Sequence, residues 1–228
     1  MIALFYYMFS HSSYDFQWES IYDYREKFID GFLTTLKISF FALILSLVIG
    51  IFFAYGQNSK IIILRFFSRF YIEIIRGTPL LVQILIFYYV FAANLGFDNR
   101  YTVGTVILAI FSGAYVSEII RAGIQSIDKG QFDAARALGF STFGAYKNII
   151  FPQAFKRILP PLTGQFASII KDSSLLSVIS IREFTMSAQE VNAYTYSTLE
   201  SYIPLAVGYL MITYPISMFA RRMESKLH

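Results

Sequence analysis

Five long apolar runs dominate the chain, at Phe32–Tyr55, Tyr71–Ala93, Thr102–Ile120, Pro161–Ile181 and Tyr202–Phe219. Each is near the ~20 residues that a tilted helix needs to cross a hydrocarbon layer. The runs are continuous rather than alternating, which excludes the short two-residue rhythm of a transmembrane barrel. Helices are expected, because lipid offers the backbone no hydrogen-bond partner and a helix supplies its own. The pattern therefore predicts an all-α membrane protein with about five transmembrane helices.

Composition sharpens this reading. Of 228 residues, 56% are hydrophobic and 15% charged, more apolar surface than a soluble core of that length hides. Mean hydropathy is +0.53. The absence of cysteine removes disulfides, thiolate metal sites and cysteine nucleophiles. His11 and His228 are terminal and isolated, so neither a metal site nor a catalytic role is expected of them.

A net charge of +4 raises the question of nucleic acid, but the cations sit in short loops beside apolar runs and read as topology signals. No nucleic-acid partner is expected. Lys60, Arg65 and Arg69 follow the first run; Lys129, Arg136, Lys147, Lys156 and Arg157 follow the third; Arg221, Arg222 and Lys226 end the chain. The positive-inside rule places those regions in the cytoplasm, with the N-terminus outside and the C-terminus inside. Residues 1–30 carry Trp18, Tyr22 and Tyr24 among Asp15, Glu19, Asp23 and Glu26, a composition suited to the outer membrane–water interface; Met1–Phe9 lacks the flanks of a cleaved signal peptide. Residues 31–228 read as one transmembrane domain without internal repeats.

The connection at residues 122–156 is too long for a turn and too polar to span. Phe132–Leu138 has a helical pattern ended by Gly139, a residue that turns a chain sharply through the left-handed region. Pro152 is expected to break the next helical pattern, at Tyr146–Phe151, before the chain returns to the membrane. Taken alone, the first pattern also fits an amphipathic helix lying on the membrane surface.

The spacing resembles the permease subunits of bacterial ATP-binding-cassette importers, whose cytoplasmic loop reads Glu-Ala-Ala, three residues, Gly, nine residues, then Ile, any residue, Leu-Pro. Here Asp133-Ala134-Ala135 is followed after three residues by Gly139 and after nine more by Ile149-Ile150-Phe151-Pro152, with Asp133 for Glu and Phe151 for Leu. Further segments are similar to the polar amino-acid uptake branch of that family, the type that includes histidine, glutamine, arginine and cystine permeases: Gly31–Leu36, Arg76–Gln83, Gly113–Ile124, Gly130-Gln131, Phe151–Ala154 and Lys171–Leu176.

The resemblance implies a type I importer fold in the bacterial inner membrane. It also implies two cytoplasmic ATPase subunits, a second permease subunit that is identical or related, and an extracytoplasmic amino-acid-binding protein. Asp133, Ala134, Ala135, Arg136, Gly139, Ile149 and Pro152 would form a coupling helix and its return, moved by the ATPase. The chain has no Gly-x-x-x-x-Gly-Lys-Ser/Thr phosphate loop, so ATP-Mg is expected on the partner, with no cofactor on this chain and no enzymatic activity of its own.

Candidate path residues are those that are costly in a membrane. Lys171 and Asp172 fall near the middle of the fourth run, where a charge must pair, hydrogen-bond or meet a ligand. Two roles stay open: an ion pair between helices, or contacts to the carboxylate and ammonium of an amino acid, with Ser173 adding a hydroxyl. Thr78, Pro79 and Leu80 mark a break in the second run, since Pro79 frees the carbonyl one turn earlier, either opening backbone toward a path or merely kinking the helix. Gln83, one turn on, is a candidate lining residue. Glu118 and Arg121, three apart, read as a structural pair, as do Glu73 and Arg76. Residues 182–200 are polar enough for an extracytoplasmic loop in which Glu183, Gln189 and Glu190 are candidates to meet a binding protein. An ion-coupled carrier is the alternative from another class; the lack of an inverted repeat argues against it.

Overall fold

The computed structural model describes residues 16–225, all helix and connecting turns; His11, His228 and Met1–Phe9 lie outside them. A short helix α1 (Trp18–Asp23) leads into α2 (Arg25–Gln57), whose 33 residues rise about 50 Å, well over the ~30 Å of hydrocarbon. Its first turns therefore belong to the stretch expected at the interface. There the Arg25 guanidinium lies 4.5 Å from the centre of the Tyr22 ring.

The second apolar run is two elements. An amphipathic helix α3 (Ile62–Gly77) ends at Thr78, and α4 (Leu80–Ala92), whose latter part from Ile86 is wound as a π-helix, leaves at 110° to it. Pro79 is the physical cause: it has no N–H to continue the ladder. α5 (Arg100–Gln125) follows, started by Asn99, whose side chain accepts from the Thr102 N–H. α2 and α5 pack closely and run parallel, with Ile49 against Gly113 and Gln57 bonded to Ser117. A Cβ on Gly113 would lie 2.5 Å from the Ile49 Cγ2, and one on Gly50 would lie 2.4 Å from the Val116 Cγ1. Such close approach replaces the hydrophobic drive that lipid cannot supply between helices. For two parallel helices that both cross a membrane, one opposite crossing must lie between them, and the bent α3–α4 pair is the candidate for it.

Beyond α5 lie α6 (Lys129–Ala137), the single turn α7 (Thr142–Ala145) and α8 (Phe151–Asp172). The break expected at Pro152 does not occur: α7 and α8 are joined by a π-turn at Tyr146–Ile150, and the helix passes through the proline. Pro152 cannot donate to the Asn148 carbonyl, and the wider turn absorbs that lost bond. Pro160 and Pro161 also lie within α8. A 3-10 turn (Ser173–Ile179) follows, then α9 (Phe184–Thr195) and α10 (Thr198–Glu224).

By length and composition, α2, α5 and α10 each suffice to cross a membrane, and the bent α3–α4 pair makes a fourth candidate. The fourth run, expected to span at 161–181, is divided between the end of α8 and the 3-10 turn. The main core joins Ile38 and Ala42 of α2, Leu80 and Ile84 of α4, Leu108 of α5, Ile169 of α8, and Leu176 and Ile179 of the 3-10 turn. A second core beside α6 joins Ile127, Ile150, Ala154 and Ile158. Only 6% of the most apolar stretch of α10 is buried within the chain.

Candidate functional site

The polar loop forms a capped unit. The Asp128 carboxylate accepts from the Gly130 N–H at 2.6 Å, which starts α6. Gly139 ends it with φ +79°, its N–H donating to the Arg136 carbonyl at 2.9 Å while the Phe140 N–H reaches back to Ala135 at 3.1 Å. That paired closure is the Schellman arrangement, and it needs the left-handed residue that glycine provides. Ser141 then caps the next helix by accepting from the Gly144 N–H.

The candidate residues of the loop divide into two faces. Asp133, Ala134, Arg136, Gly139 and Pro152 are exposed, whereas Ala135 is buried and Ile149 packs against the second core. Phe132 meets the Tyr146 ring edge-on at 5.2 Å, tying α6 to the π-turn. Leu138 is 75% exposed and Phe143 76%, with Phe140 and Tyr146 exposed beside them in sequence. None of these four is among the individual coupling residues expected from sequence, although an apolar residue on each side of the turn at Gly139 was a legible signal.

At the bend between α3 and α4, Pro79 leaves the Ile75 carbonyl without its helical donor. The structure gives that carbonyl a different partner: the Gln83 side-chain amide donates to it at 2.7 Å. The same nitrogen donates to the Thr78 hydroxyl oxygen at 2.8 Å and to the Thr78 carbonyl at 3.2 Å, so three acceptors fix its orientation. The Thr78 hydroxyl in turn donates to the Ile74 carbonyl at 2.9 Å. Gln83, read from sequence as a lining residue, is buried and serves as the clasp of the bend; Leu80 is buried in the main core. Thr78 and Pro79 are exposed.

α4 packs against the 3-10 turn that follows Lys171 and Asp172, so the two candidate segments are neighbours. Lys171 is exposed and Asp172 half-buried at the C-terminal end of α8, and neither forms an ion pair with another described residue. The Ser173 hydroxyl is buried and already donates to the Ile170 carbonyl at 2.8 Å.

Glu118 and Arg121 do pair, through two bonds of 2.9 and 2.8 Å, and Arg76 of α3 joins them at 3.3 Å. They line a polar cavity of about 350 Å³ with Gln57, Arg69, Glu73 and Gln125. Glu73 forms no ion pair with Arg76. Within residues 182–200 the expected loop is mostly helix α9. Its N-cap Glu183 is fully buried, accepting from the Thr185 and Met186 N–H groups at 2.8 and 2.7 Å and from the Tyr209 hydroxyl at 3.1 Å. Burial pushes its carboxyl up to about 7. Glu190 is shared by Lys27 and Arg182 at 3.0 and 2.9 Å. Partial burial raises its pKa, yet those cations hold it below the ordinary carboxylate range. Neither acid is free to meet a partner; Gln189 is exposed.

Residues 46–228 match the family described as binding-protein-dependent transport system inner membrane component. The chain belongs to that family. It is 43% identical over 202 residues to the putative glutamine transport system permease protein GlnP of Rickettsia typhi, across 87% of this chain and 92% of that protein. It is 37% identical over 216 residues to the glutamine transport system permease protein GlnP of Escherichia coli K12, across 93% and 98% respectively. Among solved structures, an amino acid ABC transporter crystallised with histidines is 39% identical with a TM-score of 0.86, over 93% of this chain and 100% of that one. The inward-facing MetNI methionine ABC transporter gives a TM-score of 0.70 at 15% identity, over 89% and 96%, and speaks to the fold alone. The permease is thus a multi-pass inner-membrane component of a transport system, built on the type I importer fold, and not an enzyme.

Proposed function

We propose that this permease carries a polar or charged amino acid, glutamine or a close relative of it, across the inner membrane, driven by two cytoplasmic ATPase subunits that bind ATP-Mg. An extracytoplasmic binding protein delivers the substrate, and a second permease subunit completes the path. The N-terminus is extracytoplasmic and the C-terminus cytoplasmic, as the cation distribution favours.

The observation that carries the coupling assignment is the pair of largely exposed apolar side chains, Leu138 and Phe143, flanking Gly139 on a polar loop. Water is a poor neighbour for both, and a groove in a partner protein is a good one. Asp133, Ala134, Arg136 and Gly139 form the docking surface with them, with Pro152 exposed at the start of α8, while Ala135 and Ile149 hold the unit against α5 and α8. A displacement of α6 then moves the spanning helices as packed bodies. At the other end of α8, Lys171 and Asp172 supply charges of both signs that form no ion pair with another described residue, matching an amino acid's carboxylate and ammonium. Thr78 lies on the adjoining bend, and Pro79, Leu80, Gln83 and Ser173 shape that wall.

Reconstituting the permease with its ATPase and binding protein in vesicles tests this reading. Glutamine uptake should require ATP, and loaded binding protein should raise ATP hydrolysis. Phe143→Asp should abolish ATPase association while the permease still folds. Uptake without ATP, or a variant that keeps wild-type association, would overturn it.

A further inference from the structure

A groove of about 590 Å³ runs along the outer surface between the middle of α2 and the first turns of α5. Its floor is apolar, with Phe41, Ile44 and Val48 among the lining residues. Polar groups gather toward one end: Lys37 and Thr34 from α2, and Tyr101 from α5. Because α2 and α5 are parallel, these polar groups lie toward the N-terminal ends of both helices.

The axial dimensions match one leaflet. Lys37 lies five residues, about 8 Å, inside the start of the apolar run at Phe32, a depth from which a lysine side chain snorkels to the phosphates of the leaflet nearest the helix N-terminus. From Lys37 to Val48 is about 16 Å, half of the hydrocarbon thickness and the length of one acyl chain. Lys37 is exposed and forms no ion pair with another described residue. No carboxylate lines the groove, so it offers a phosphate a cation and hydroxyl groups, and offers a headgroup ammonium nothing.

We infer that this groove is a binding site for an anionic glycerophospholipid, its phosphate on Lys37 with the Tyr101 and Thr34 hydroxyls, and an acyl chain laid along Phe41, Ile44 and Val48. The inference is independent of the cargo and of which side of the membrane the N-terminus faces. A permanent lipid there would seal the seam between the two most closely packed helices.

The test uses the assembled transporter purified in detergent, with phosphatidylglycerol or phosphatidylcholine added back. Native mass spectrometry should show phosphatidylglycerol retained about fivefold more than phosphatidylcholine, the discrimination expected of one lysine between a net anionic headgroup and a zwitterionic one whose ammonium finds no partner in the groove. Lys37→Ala should remove that preference, and Val48→Trp, which fills the groove, should lower retention of both lipids. Equal retention of the two lipids by the native protein, or an undiminished preference in Lys37→Ala, overturns the site. Since the chain has no cysteine, Val48→Cys also reports the occupant: efficient disulfide cross-linking between two permease copies would show a protein partner there instead and overturn the lipid assignment.

Discussion

The Gln83 side-chain nitrogen lies 2.7 Å from the Ile75 carbonyl oxygen, and that bond closes the gap opened by Pro79. A carbonyl freed by proline inside a membrane protein has no water to turn to, so its replacement donor must be a side chain. Gln83→Leu keeps approximate size and removes the donor. It should cost about 1–3 kcal/mol, read as a lower thermal midpoint of the purified complex. Gln83→Glu should be at least as damaging, because a carboxylate faces three acceptors. Wild-type stability in both would show that the bend holds itself.

Glu118 accepts from two arginines of different standing. Its two bonds to Arg121 are within one helix, whereas Arg76 arrives from α3 and is more exposed. Arg76→Ala should therefore change stability by no more than about 1 kcal/mol. Glu118→Ala should cost more, since it leaves two cations facing each other. Thermal unfolding of both variants and of the double variant gives the coupling; equal losses would refute the ranking.

Gly139 holds φ +79° with open space around the position its Cβ would take. Gly139→Ala and Gly139→Val thus meet strain but no clash. The strain is about 1–2 kcal/mol, larger for the branched side chain. On the proposed coupling role, ATPase association and ATP-dependent uptake should fall in the order Gly, Ala, Val. Uptake unchanged by valine would remove the turn from the coupling path.

Glu183 gives the fold a pH dependence of defined sign. Its folded-state pKa of about 7 lies above its ordinary 4.5. The folded chain therefore holds the proton where the unfolded chain has released it, and ionisation opposes folding. Its contribution is fully present below about pH 4.5 and is lost as pH rises through about 7. Glu190 acts in the opposite direction, since its lowered pKa contributes stability that is lost as pH falls. Glu183→Gln should flatten the decline between pH 5 and 8 and leave the acid limb due to Glu190. Thermal midpoints across that range would show it; an unaltered profile would refute the assignment.

The apolar runs and the glycine-ended helix of the polar loop were legible because each depends on local pattern: run length, and a glycine after a helix. What sequence could not show was which neighbour a polar side chain meets. Gln83 has the same signature whether it lines a path or satisfies Ile75, and only the 110° bend brings the carbonyl to it. The π-turn before Pro152 escaped for a related reason, since proline signals a lost bond but not whether the helix ends or widens around it. Glu183 and Glu190 read as loop acids because their partners, Tyr209 and Lys27, are remote in sequence.

The near absence of burial along α10, set against the closely fitted glycines of α2 and α5, has an evolutionary consequence. Only 6% of the residues in the apolar window of α10 are buried within the chain, so outward positions such as Leu210 and Met211 are not constrained by contacts inside it and can drift among apolar residues wherever lipid alone faces them. Gly50 and Gly113 have no such freedom, since even one added methyl meets Val116 or Ile49. Substitutions accumulated since this permease diverged from its relatives should therefore lie thickly along α10 and leave the α2–α5 seam untouched.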